Sequence, residues 1–107
     1  MDEIIEVFWA GFQKRSIAFQ ENGSASQPAP ANLQIVWSPR DDAPSMLADV
    51  FFHPDVMDGM AKANSVRREQ IVEKAVDMLS LRIVENDLGG ARQPRVHVKI
   101  TPDALQL

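Results

Sequence analysis

Large apolar residues recur at spacings of three and four along the first twenty residues of the chain. This spacing puts them on one side of a helix, so it predicts an amphipathic helix over residues 2–20 with an aromatic face. The positions on this face are Ile5, Phe8, Trp9, Phe12 and Phe19. Gly11 interrupts the helix, but a glycine costs only about 1 kcal/mol relative to alanine, less than burial of the aromatic side chains supplies.

Residues 21–32 (ENGSASQPAPAN) are mostly small or polar and include two prolines. They show no apolar period, and this composition predicts a flexible connector. A connector of this length lets the helix fold back onto its own domain or pack on a neighbouring copy or partner. The sequence leaves both arrangements open.

Three later segments alternate between apolar and polar residues, which is typical of strands. They are residues 33–37 (LQIVW), 47–53 (LADVFFH) and 95–101 (RVHVKIT). The positions predicted to face the core are Leu33, Ile35, Trp37, Ala48, Val50, Phe52, Val96, Val98 and Ile100. The same alternation turns Val36, Asp49, Phe51, His53, His97 and Lys99 to the opposite face.

Residues 54–64 predict one or two helical turns, and Ser65 is the expected N-cap of a longer helix that ends near Leu88 at Gly89 and Gly90. Within the longer helix an apolar stripe of period 3.6 recurs. It consists of Val72, Ala75, Val76, Leu79 and Ile83, widened by Ile71 and Met78.

The predicted fold class is α+β, with two layers and elements in the order helix, strand, strand, helix, strand. We expect a three-stranded antiparallel sheet in the order 2-1-3, strands numbered along the chain, with both main helices on one face. Residues 1–107 are expected to form a single domain. Its core would be residues 33–101, and residues 102–107 would be a tail.

Composition limits the classes of function. The chain of 107 residues is 45% hydrophobic and 24% charged, as expected for one globular domain. It contains no cysteine, which excludes disulfides and thiolate chemistry. The net charge of −4 disfavours nonspecific binding to nucleic acid or anionic lipid. An acidic start, Met1-Asp2-Glu3, and the lack of a long apolar run predict a cytoplasmic protein without a membrane span.

The tripeptide His53-Pro54-Asp55 is the one on which J-domain co-chaperones depend, and the segment after it is similar to the following J-domain helix. The similarity lies in the hydrophobic spacing of Val72, Ala75, Val76 and Leu79, which matches when three residues are inserted. The preceding segment does not fit, because no lysine or arginine lies between Arg40 and His53, and Pro44 would break a helix. We therefore expect Pro54 to end a strand and Asp55 to cap the next turn. A co-chaperone or enzyme-like role centred on this tripeptide is the alternative function.

Two histidines and a carboxylate, His53, His97 and Asp49, are predicted to share the face opposite the helices. In the order 2-1-3 the histidines would lie on the two outer strands, roughly 9 to 10 Å apart, which is long for a shared metal ion. No serine lies in a Gly-x-Ser-x-Gly context. The sequence therefore predicts no enzyme activity, no metal site and no cofactor.

The uncovered sheet face is the predicted functional surface. Its candidate partner-binding residues are Val36, Asp49, Phe51, His53, His97 and Lys99. Such a mixed polar and apolar face is typical of protein contacts, unless the connector or the tail folds over it. Arg95 and Lys99 beside Phe51 would also resemble a platform for single-stranded nucleic acid, which the net charge opposes. We expect a small non-enzymatic protein-interaction module that binds a protein partner or a second copy through this face or through its aromatic N-terminal helix.

Overall fold

The computed structural model describes residues 2–15, 17–38, 45–88 and 94–105. These segments form five helices, α1 (Glu3–Arg15), α2 (Ile17–Asn22), α3 (Pro54–Lys62), α4 (Ser65–Leu88) and α5 (Pro102–Leu105). They also form four strands, β1 (Gly23–Ala29), β2 (Asn32–Trp37), β3 (Met46–Phe52) and β4 (Arg95–Ile100). The predicted α+β class is confirmed.

The strands form one sheet in the order β1-β2-β3-β4. The pairs β1/β2 and β2/β3 are antiparallel, whereas β4 runs parallel to β3. The predicted three-stranded antiparallel sheet in the order 2-1-3 is therefore wrong in strand number and order, although the last strand is parallel to the one before the long helix, as expected for a right-handed crossover. The crossover through α3 and α4 returns the chain directly beside β3, so that β2 does not lie between β3 and β4.

The missing fourth strand comes from the segment predicted to be a flexible connector. Its small side chains show no apolar alternation, but its backbone pairs with β2 as a strand, with Ser24 opposite Val36 and Ser26 opposite Gln34. The pairing becomes irregular between Ser26 and Ala29, around Pro28, which has no amide hydrogen to donate. The prediction of a connector over residues 21–32 is therefore wrong, since α2 and the β1–β2 hairpin occupy it.

Helix α1 packs on its own sheet. It is shorter than the predicted 2–20 helix, and Ser16, between α1 and α2, lies outside the described residues. Phe8 is completely buried, with its ring centroid 4.4 Å from that of Phe52 in β3. From α2, Phe19 stacks edge-on against Trp37 of β2 at 5.0 Å. Phe8, Phe12 and Phe19 of the aromatic face are thus part of the core, whereas Trp9 is only partly buried against it.

Helix α4 has the predicted bounds, and its inner stripe is buried where the 3.6 period places it. The buried residues of this stripe are Ile71, Val72, Ala75, Val76 and Leu79, and the predicted members Met78 and Ile83 are only partly buried. Its N-cap is Asn64 rather than the predicted Ser65, because Asn64 Oδ1 accepts a hydrogen bond from the Arg67 amide at 2.8 Å. The predicted ending at Gly89 and Gly90 lies outside the described residues.

One hydrophobic cluster lies between the helices and the inner face of the sheet. Leu105 belongs to it and is fully buried, so the first part of the predicted tail is the short helix α5. Lys74 of α4 donates a hydrogen bond from Nζ to the Leu105 carbonyl at 3.1 Å, which fixes α5 to the helical layer. In the part of the chain that the structure describes, no helix has the combined length and apolarity required to cross a bilayer.

Candidate interaction surface on the open sheet face

The sheet surface turned away from α1 and α4 forms three rows across β2, β3 and β4. We call this surface the open face. Its rows are Val36, Leu47 and Arg95; Gln34, Asp49 and His97; and Asn32, Phe51 and Lys99. Because side chains alternate along a strand, each of these residues is next to one that points into the core. Of the residues that the sequence predicted here, Val36, Asp49, Phe51, His97 and Lys99 lie together on this face.

Apolar groups lie at the two ends of the open face. Phe51 is 42% exposed, although the adjacent Phe52 is completely buried. Val36 is 41% exposed and lies opposite Leu47 in the neighbouring strand. The row between them is polar. An aromatic ring at one end and an aliphatic pair at the other provide two separate places for apolar contact.

Asp49 is at the centre of the polar row, and its side chain is only 12% exposed. Arg95 Nε donates a hydrogen bond to Asp49 Oδ2 at 2.6 Å, and Arg95 Nη2 contacts the same oxygen. His97 Nδ1 lies 3.6 Å from this oxygen. The carboxylate is therefore held by side chains of the next strand, and the cations outnumber it on this face.

A shallow groove of about 560 Å³ crosses the open face. It runs from Pro28 and Ala29 in the β1–β2 hairpin, past Asp49 and Phe51, to Lys99 in β4. Small-molecule sites usually enclose most of their ligand. A broad groove across several strands instead suits a polypeptide segment that lies on the surface.

His53 has a structural role at the junction of β3 and α3. The strand ends at Phe52, so the prediction that His53 belongs to it is wrong. His53 is the N-cap of α3, and its Nδ1 accepts a hydrogen bond from the Asp55 amide at 3.0 Å. The predicted capping role of Asp55 is also wrong, and Pro54 occupies the first helical position.

The setting of the His53-Pro54-Asp55 tripeptide differs from that of a J-domain. In a J-domain it lies between two antiparallel helices, whereas here it joins a strand to a helix. The predicted positions of the histidines also change, because β3 and β4 are neighbours and Asp49 is directly opposite His97. Within the described segments, no three histidine, aspartate or glutamate side chains are grouped to hold a metal ion.

The predicted contact residues omitted two members of the open face, Leu47 and Arg95. Both follow from the alternation that identified their neighbours, since residues 47, 49 and 51 share a face, as do 95, 97 and 99. The contribution of the β1–β2 hairpin had no comparable signal, because Pro28 and Ala29 are part of a segment without apolar alternation.

Comparisons with family models, with curated proteins and with solved structures found no match to this chain. The functional argument therefore depends on the geometry and charge of the open face.

Proposed function

We propose that this protein is a non-enzymatic interaction module that binds another protein through its open face. The exposed ring of Phe51 beside Lys99, on the side of the sheet that no described helix covers, is the observation that supports this most directly. Aromatic side chains and arginine are enriched at protein contact sites, and Arg95 lies on the same face as Phe51. The contact set excludes His53, whose ring caps α3.

The charges on the open face indicate the chemistry of the partner. Among the described residues of this face, Arg95 and Lys99 are two cations beside one carboxylate, that of Asp49, although the whole chain has a net charge of −4. The described part of this face therefore has the opposite sign to the net charge of the chain. A partner segment that brings carboxylates to β4 and apolar side chains to Phe51 and Val36 would match it.

This charge pattern disfavours two other candidates for binding to the open face, a second copy of this chain and a nucleic acid strand. If two copies packed with β4 against β4, their Arg95 and Lys99 side chains would repel one another. A nucleic acid strand would place phosphates near Asp49 at the centre of the face, against the net charge of the protein. An acidic segment of a different protein can keep its carboxylates at β4 and its apolar side chains over Phe51 and Val36, so it need not place negative charge against Asp49.

The proposal is tested by placing a photo-crosslinking amino acid at Val36 in the native cell. The matched control has the same amino acid at Val66, which is 65% exposed on the first turn of α4, on the other side of the sheet. We expect a discrete protein adduct from position 36 and none of that mass from position 66. Adding Lys99→Glu should reduce the adduct by roughly fivefold or more, because it reverses a charge at the contact.

Three results would contradict this function. The same adducts from both positions would mean that the open face is not selective. An adduct with the mass of two copies of this chain would identify self-association instead. An adduct removed by nuclease would identify nucleic acid.

A further inference from the structure

Strand β4 is at one edge of the sheet, and its hydrogen bonds show which of its backbone groups are turned outward. The Leu47 amide donates to the Pro94 carbonyl, and the His53 amide donates to the Ile100 carbonyl, both at 2.9 Å. In a parallel ladder, the residues that bond the neighbouring strand alternate with residues that bond neither of its groups. The even-numbered residues of β4 therefore face β3. The N–H and C=O groups of Arg95, His97 and Lys99 point away from the sheet.

Within the described segments, a side chain of α4 hydrogen-bonds to this outer edge. Arg82 of α4 donates from Nε to the His97 carbonyl at 3.4 Å, while its Nη1 contacts Glu85 at 3.3 Å. Among the described residues, the outward N–H groups of Arg95, His97 and Lys99 have no acceptor. A row of such donors at a sheet edge, beside the half-exposed side chain of Arg82, is a template on which another strand can pair.

The same three residues also direct their side chains onto the open face, where all three are exposed. A strand added beside β4 would place every second side chain next to this row of arginine, histidine and lysine. Opposite charges at such cross-strand positions are favourable, and like charges are unfavourable. The added strand should therefore have acidic residues at alternate positions on this side.

The remaining side chains of an added strand would lie on the helical side of the sheet. There a groove of about 460 Å³ lies between β4 and the later turns of α4. Val96 is the apolar residue of its lining, and Arg82, Glu85 and Asn86 line it from α4. Short side chains fit this position. A second copy of β4 does not fit the edge, because it would bring the same three basic residues against their counterparts.

We infer that an extended acidic segment of a partner protein binds by adding to β4 as a fifth strand. This inference deepens the proposed function and depends on it, since the acidic side chains of the added strand would lie on the open face. Main-chain hydrogen bonds to Arg95, His97 and Lys99 supply the binding, and the basic side chains select the sequence.

The test uses a blocked octapeptide of alternating glutamate and valine, with an alternating lysine and valine peptide as the charge control. At about 5 mM, and for a dissociation constant of about 1 mM, the acidic peptide should slow amide exchange at His97 and Lys99 by up to about sixfold, the factor 1 + [L]/Kd. The basic peptide should leave these amides unchanged. Equal protection by both peptides would overturn the selection by charge.

Two variants at one position separate the backbone contact from the side-chain contact. His97→Pro removes an outward N–H without breaking the ladder to β3, whereas His97→Thr removes the imidazole and keeps the N–H. We expect His97→Pro to bind the acidic peptide roughly tenfold more weakly than His97→Thr does, because a bound peptide carbonyl would lack its donor. Retained protection of the Val98 amide verifies that both variants are folded.

N-methylated peptides give the same test on the unaltered protein. Methylation of the backbone nitrogens of one set of alternate peptide residues should abolish binding, whereas methylation of the other set should not. Only one set directs its N–H groups toward β4. If both sets bind alike, or if no amide of β4 is protected by the acidic peptide, strand addition is overturned. The crosslink at Val36 would still decide whether the open face binds a partner, so the two proposals can fail separately.

Discussion

At the scale of single residues, Gly11 lies against Val72 where α1 meets α4. A Cβ atom built on Gly11 would overlap the Cγ1 methyl of Val72. Valine has one strongly preferred rotamer in a helix, so this methyl cannot turn away without cost. The glycine that weakens α1 by its own propensity therefore allows the two helices to approach closely.

We predict that Gly11→Ala destabilises the protein by up to about 2 kcal/mol net, because overpacking costs roughly 1–3 kcal/mol and the gain in helix propensity is about 1 kcal/mol. Urea unfolding measures this change in the free energy of unfolding. The control is Gly11→Ala in a Val72→Ala background, where the added methyl has space and its cost should largely disappear. A stabilising effect of Gly11→Ala alone would show that the helices are further apart.

Individual side chains also determine where helices begin. The sequence predicted the region in which each helix starts, but not the residue that caps it. Asn64 and Ser65 are both good N-cap residues, and only the backbone path decides which one accepts the Arg67 amide. At the other junction, His53 takes the capping role that composition assigned to Asp55. Such choices depend on angles that adjacent residue types do not specify.

At the scale of elements, alternation in β3 places two adjacent phenylalanines in opposite environments. Phe51 is 42% exposed on the open face, whereas Phe52 is completely buried against Phe8. We predict that Phe52→Ala lowers the free energy of unfolding by about 3–5 kcal/mol, and that Phe51→Ala changes it by about 0.5 kcal/mol or less. Parallel urea titrations of the two variants measure the difference. Similar losses would mean that the open face is covered.

Elements with a strong apolar period could be predicted from the sequence, and those without it could not. The bounds of α4 and the inward residues of β2, β3 and β4 follow from periods of 3.6 and 2. Strand β1 does not, because its serines and alanines give no alternation and its conformation depends on pairing with β2. Local composition alone therefore suggested a connector.

The sheet order also could not be obtained from the segments themselves. It depends on how the crossover through α3 and α4 returns to the sheet, which is a property of the packed helices. The wrong sheet order changed the predicted candidate site only in part. Its side chains on β3 and β4 were identified by alternation, but the contact of Asp49 with Arg95 requires these strands to be neighbours.

At the scale of the whole molecule, the two faces of the sheet have separate roles. The inner face and all the buried aromatic side chains form one core, to which α1 contributes Ile5, Phe8 and Phe12. The outer face keeps its exposed apolar and basic groups without contributing to that core. Substitutions on the open face can therefore alter binding while the fold is retained, which is what the proposed experiments require.

The intrachain packing of α1 leads to a prediction for the whole fold. Phe8→Ala removes a fully buried ring that stacks on Phe52 and should cost about 3–5 kcal/mol. Because this contact joins two parts of one chain, the loss should be the same at protein concentrations that differ by about fifty-fold. Urea unfolding followed by circular dichroism at both concentrations measures it. If α1 were exchanged between two copies, unfolding midpoints would rise with concentration and the loss would differ between the two series.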